Sequence, residues 1–171
     1  MKKTITLFLI MSSFFINAQN LLETKPSLIG INLGDNYSKW ASNLTFYGSR
    51  GEYSRYSYKL LERKTIFGYE IKSISMFFNK TSMTLVAVCI TTDDLPTTSW
   101  DAKNFMPIVE NLKGKFGEES GVNPDAKTAS MTYYWSSNNN YLYMFYDFKG
   151  SLVKGEVSIN LSTKKFLDSS E

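Results

Sequence analysis

The stretch ASMTYYWSSNNNYLYMFYDF, Ala129 to Phe148, decides the fold. Two aromatic-rich runs, Ala129 to Trp135 and Tyr141 to Phe148, flank the polar residues Ser136 to Asn140, so they read as two strands joined by a turn. So short a connection favours antiparallel neighbours, because parallel strands need a crossover of about a dozen residues or more. A third run, Leu152 to Ser162, follows the turn Lys149-Gly150 and alternates through Val153, Gly155, Val157, Ile159 and Leu161. The last third of the chain therefore reads as three antiparallel strands.

Upstream the same period recurs. Tyr56, Tyr58 and Leu60 alternate with polar residues, as do Ile74, Met76 and Phe78. Tyr69 and Ile71 are out of phase with Ile74, which predicts a bulge or bend near Lys72-Ser73. The turn Asn79 to Ser82 then leads into a run from Met83 to Thr91, completing a hairpin. Two segments carry a helical period instead. Tyr37, Trp40, Ala41 and Leu44 fall at i, i+3, i+4 and i+7 behind Asp35 as N-cap, with Tyr47-Gly48 as the stop. Phe105, Ile108, Val109, Leu112 and Phe116 form a longer stripe, with Asn104 as N-cap, Pro107 in the first turn and Gly117 as terminator. Residues Glu118 to Lys127 read as a loop around Asn123-Pro124-Asp125.

The expected fold is α+β: an antiparallel sheet of about six strands with two helices on one face, in the order helix, three strands, helix, three strands. That order hints at duplication. An offset of 69 carries Asp35 onto Asn104, Tyr47 onto Phe116 and Gly48 onto Gly117, although it fails at Asn43 and Leu112.

At the N-terminus, Lys2 and Lys3 precede an apolar stretch from Ile5 to Ile16 that ends in Ile16-Asn17-Ala18, the pattern of a cleaved export signal. The expected division is a signal peptide at 1–18, a flexible lead at 19–27, one domain at 28–165 and a tail at 166–171. The signal is too short for a hydrocarbon core of about 30 Å, so no membrane span is expected. The expected location is the periplasm or the exterior. Without Lys2 and Lys3 the chain has 17 basic against 16 acidic residues. With no dense block of Lys or Arg, nucleic acid is not an expected partner. The one cysteine, Cys89, lies in the apolar run Leu85 to Ile90 and reads as a buried small hydrophobe, with no disulfide and no lipid anchor. Three Asn-x-Ser/Thr triplets, at Asn43, Asn79 and Asn160, matter only in a host that glycosylates exported chains.

Leu33-Gly34-Asp35, followed by the Trp40 and Leu44 face and closed by Tyr47-Gly48, resembles the opening helix of small envelope proteins. These share the fold of the β-lactamase inhibitor protein and the BamE-type assembly lipoproteins. The resemblance extends more loosely to residues 104–117. It implies a protein that works by surface contact without catalysis, and it assigns no functional residues. The lipid-bearing cysteine of the assembly lipoproteins is missing here.

The chain has no histidine, which removes Ser-His-Asp and Cys-His systems and imidazole-based zinc sites. Ser151 to Lys154 and Ser162 to Lys165 both spell S-x-x-K, with Ser136-Ser137-Asn138 as an S-x-N partner, but they fall in or beside strands where the spacing is unproductive. The carboxylate pairs Asp93-Asp94 and Glu118-Glu119 read as solvated loop charge, and no calcium loop or phosphate-cradling glycine loop is present. No metal or cofactor is expected.

The aromatic load is the remaining signal. If Tyr141, Tyr143 and Phe145 share an exposed face with Tyr133 and Trp135, they form a platform for a peptide, sugar or partner protein. The plainer alternative is that both sets are buried in a strand packed on two sides. The expected function is an exported, non-catalytic binding protein of the bacterial envelope with a protein or envelope component as partner. The alternatives are a small carboxylate-dependent hydrolase and a closed barrel holding an apolar ligand.

Overall fold

The computed structural model describes residues 21–59, 64–92, 95–96, 105–125, 130–147 and 154–169. The expected export signal, the Asn104 cap, the Asp93-Asp94 pair and the Lys149-Gly150 turn lie outside them. Strands β1 (Ser27–Leu28) and β2 (Ile31–Asn32) form a small hairpin. The main sheet is built from β3 (Leu44–Arg50), β4 (Tyr53–Tyr58), β5 (Thr65–Ile66), β6 (Tyr69–Asn79), β7 (Leu85–Thr92), β8 (Leu95–Pro96), β9 (Gly121–Asp125), β10 (Ser130–Ser136), β11 (Asn140–Asp147) and β12 (Lys154–Thr163). Helix α1 (Met106–Phe116) joins its two halves, and the short helix α2 (Lys164–Asp168) follows β12.

The chain is mostly β, and this overturns the expected two-helix, six-strand α+β arrangement. The continuous path is β3-β4-β6-β7-β12-β11-β10-β9, antiparallel throughout, with β5 beside β6 and β8 beside β12. Two segments account for the difference. The segment expected to be the first helix is two 3-10 turns, Tyr37–Lys39 and Ala41–Asn43, and the chain then runs out as β3. Asn36, not Asp35, caps the first turn by accepting from the Ser38 N–H at 3.0 Å. A repeat of 3.0 and one of 3.6 both put Tyr37 and Trp40 on nearly the same side, and Leu44, which would have told them apart, already belongs to β3. Gly48 sits beside a register shift in β3 and ends no helix. The second is the loop expected at 118–127, which contains β9. Proline removes a ladder donor, but Pro124 is on an edge strand, where that donor is not needed.

The anticipated irregularity at Lys72-Ser73 is present as a register shift between Ile71 and Ser73. Helix α1 has Pro107 in its first turn and ends at Gly117, whose φ of 85° favours glycine. Its stripe, Ile108, Val109, Leu112 and Phe116, is buried against one face of the sheet's core. Facing residues give that core its rows: Met144, Ile159, Ile90 and Ile74 in one, Leu142, Leu161, Val88 and Met76 in the next.

The folded unit reaches past both expected limits of 28 and 165. Leu22 is buried, and its carbonyl accepts from Asn140 Nδ2 at 2.9 Å, while the Glu23 carboxylate accepts from the Asn139 backbone and side-chain amides. The polar turn 136–140 is thus a seat for the N-terminal segment. On the other side of the sheet, Phe166 of α2 packs against Tyr53 and Phe77.

The β1–β2 hairpin turns through Ile29 and Gly30, both at positive φ (44° and 82°), the signature of a type I′ turn. A β-branched residue is strained there, and Ile29 is 39% exposed, so little burial offsets the strain. Replacing Ile29 by Asn should raise stability by about 1 kcal/mol, seen as a higher urea midpoint at unchanged slope. A lower midpoint would contradict the turn assignment.

Candidate functional site

Because α1 closes one face of the sheet, the other face is the candidate site. Pairing fixes its composition, since residues directly opposite on antiparallel strands share a face. One row crosses the sheet from Ser57 through Ser75, Cys89 and Asn160 to Tyr143 and Tyr134. The adjacent row runs from Arg55 through Phe77, Ala87 and Ser162 to Tyr141. The middle strands contribute small side chains and the flanking strands large rings. A shallow trough results, banked by Tyr134, Tyr141 and Tyr143 on one side and by Phe77, Tyr53 and Tyr47 on the other.

This geometry divides the five aromatic residues of the expected platform. Tyr141, Tyr143 and Phe145 face Ser136, Tyr134 and Thr132 across the hairpin and line the trough, half-buried. Tyr133 and Trp135 pair with Met144 and Leu142 on the opposite, helix-covered face. Trp135 is 2% exposed and donates its indole N–H to the Gly117 carbonyl at 2.7 Å, holding the end of α1 on the sheet. The Tyr133 hydroxyl lies 3.8 Å from the Met106 sulfur, and its ring packs near Phe105. The platform therefore does not contain all five residues. It gains Tyr134, whose ring stacks on Tyr141 at 5.9 Å and lies directly over Gly121, where a Cβ would collide with it.

The opposite bank carries residues with no local sequence signal. The Arg55 guanidinium lies over the Tyr47 ring at 4.6 Å from its centroid and 5.7 Å from that of Phe77, and it donates to Ser75 Oγ at 3.0 Å. Phe166 of α2 meets Tyr53 edge-on at 4.9 Å and Phe77 at 5.1 Å. Thr163 caps that helix by accepting from the Phe166 N–H, which starts the turn that brings the ring back over the sheet. Between α2, β3 and β4 lies a groove of about 520 Å3.

Titratable groups elsewhere serve the fold. Hydrogen bonds from Lys113 hold the Glu119 carboxyl low, with Nζ at 2.7 Å from Glu119 and 3.0 Å from Glu118. Asp35 is also held low: burial opposes this most strongly of any one cause, but the hydrogen bonds from Lys39 and Asn32 and the Lys39 charge together outweigh it. Glu23 is lowered by hydrogen bonds from Ser137 and Asn139. A carboxylate acid catalyst needs the opposite shift. Of the S-x-x-K motifs, Ser162 is buried within β12 while Lys165 is exposed on α2, and Ser151 lies outside the described residues. The sheet path ends at β3 and β9, so the described strands form an open sheet and not the alternative closed barrel. No cluster of three or more Cys, Asp or Glu that could hold a metal occurs among the described residues. No helix among them is long and apolar enough to cross a membrane.

The chain matches no protein-family model, no curated protein and no solved structure.

Cys89 is a free thiol on the floor of the trough. Burial pushes its pKa up, so less thiolate is present at any given pH. Alkylation by iodoacetamide at pH 8 should be at least about tenfold slower in the folded protein than in about 6 M guanidinium. Equal rates would place the thiol in open solvent.

Proposed function

We propose that this chain is an exported, non-catalytic binding protein of the bacterial envelope that holds a protein or other envelope component against the open face of its sheet. The observation that carries the reading is the contrast between the two faces: one is sealed by α1 over an apolar core, while the other remains half-exposed across strands buried on their far side. An unsealed, ring-banked face on a rigid sheet offers hot-spot residues of the kind that dominate protein interfaces, with small polar neighbours that need little desolvation. Tyr141, Tyr143 and Phe145 are the residues proposed to make contact, with Tyr134 beside them. Low carboxyl pKa values at Glu23, Asp35 and Glu119 give the hydrolase alternative no support.

Export is testable directly. The mature chain should begin at Gln19 and be recovered from the periplasmic or culture fraction, as intact-mass measurement would establish. A chain retaining Met1 to Ala18 in the cytosol would end the envelope reading.

The binding face is tested by placing a photo-reactive benzoylphenylalanine at Tyr143, at Phe145 and, as a control on the far edge, at Val122. A discrete adduct should form from 143 and 145 in cells of the native host, and Tyr141→Ala should reduce its yield by about tenfold, the effect of losing one interfacial anchor. An adduct arising from 122 but not from 143 or 145 would move the site elsewhere.

A further inference from the structure

We infer that the groove between α2 and the β3–β4 hairpin, at one bank of the trough, is a small-molecule site, and that its ligand is an organic acid with one carboxylate on a flat apolar body. The argument begins with Arg55. Its guanidinium is fixed in orientation by two rings, Tyr47 and Phe77, and by a single hydrogen bond to Ser75 Oγ. A guanidinium has five N–H donors, and among the described residues Arg55 donates a hydrogen bond to Ser75 Oγ alone. No carboxylate lines the groove among the described residues. The fork is therefore held flat and in place, with no carboxylate partner among the described residues, the condition in which arginine takes a carboxylate bidentately.

The rest of the groove fits the body of such a molecule. Tyr47, Tyr53, Phe77 and Phe166 present ring faces and edges around it, with Tyr143 and Leu167 beside them. Its volume of about 520 Å3 falls within the range of small-ligand sites. Ser49, Arg50 and Ser169 also line the groove, but Arg55 is the cation there that is held flat between two rings, and no lysine lines it among the described residues. The groove is the β3–β4 bank of the same face, and of the residues proposed to touch the partner, Tyr143 lines it.

Titration calorimetry with 1-pyrenebutyrate, and with its uncharged amide as comparison, separates the possibilities. The acid should bind at least about tenfold tighter than the amide, a margin ordinary for one charge-assisted bidentate contact. Arg55→Gln should reduce the acid to the amide's affinity, and Arg55→Lys should fall between them, because the charge remains and the planar fork is lost. Phe166→Ala should weaken acid and amide alike, whereas Tyr141→Ala and Phe145→Ala, which belong to the partner face, should change neither. Thermal unfolding of each variant identifies any that fails to fold, and Arg55→Lys then carries the test. Equal binding of acid and amide, full binding by Arg55→Gln, or no binding of the acid at about 1 mM would overturn the inference. None of these results bears on cross-linking from Phe145, so the two readings fail independently.

Discussion

The pairing of β7 with β12 is the joint on which the rest of the structure depends. These strands lie at the ends of two separate meanders, and their register, Ile90 against Ile159 and Cys89 against Asn160, decides which side of the sheet is core. A slip of one residue would send Ile159 and Leu161 into the trough and Asn160 into the core. Asparagine without a partner in that apolar layer would cost on the order of 1–3 kcal/mol, and each exposed aliphatic side chain would forfeit a similar amount of burial. The register is thereby fixed by composition alone, before any ligand is considered.

Both meanders run inward to this joint. From the centre outward the first half orders its strands β7, β6, β4, β3, and the second orders them β12, β11, β10, β9, so the halves correspond by a local two-fold relation. The offset of 69 carries Leu85–Thr92 onto 154–161 and residues 71–78 onto 140–147, which lie on β12 and β11. The correspondence breaks at the segment before each meander. In the second half it is an α-helix with four buried positions; in the first it is a pair of 3-10 turns whose rings, Tyr37 and Trp40, pack on Tyr56, Phe78 and Tyr58. One half covers the core with a helix and the other with aromatic side chains.

What could be read from the sequence follows from how much of each signal is local. The bulge at Lys72-Ser73 was legible because a break in alternation is visible within one strand. Helix α1 was legible because five apolar positions over three turns admit no other period. Tyr37 to Leu44 was too short for that discrimination, and Pro124 suppressed a strand that an edge tolerates. The aromatic site was half legible for a reason of parity. Alternation grouped Tyr141 with Tyr143 and Phe145, and Tyr133 with Trp135, but whether the groups share a face depends on the length of the turn between them. The register pairs Ser136 with Tyr141, so odd residues of β11 oppose even residues of β10. One residue more or less in the turn would have joined the groups. Arg55 and Phe166 come together across more than 100 residues, and nothing in their neighbours announces it.

The trough also explains how a sheet can leave a face open without exposing a large apolar patch. Ala87, Cys89, Ser158, Asn160 and Ser162 are small, so the centre of the face contributes little apolar area, and the rings stand on the flanking strands where they shield one another. Burial, with the nearby Cys89 and Tyr141, raises the Tyr143 hydroxyl pKa, so it remains a neutral hydrogen-bond donor at physiological pH. The depth of the trough is thus the difference in size between central and flanking side chains, set by the same alternation that builds the core on the reverse. Enlarging a floor residue that keeps some exposure, such as Ser158, would fill the trough without touching the apolar layer beneath it. Shape on this face can therefore vary independently of stability on the other, which is the separation that a binding surface on a sheet requires.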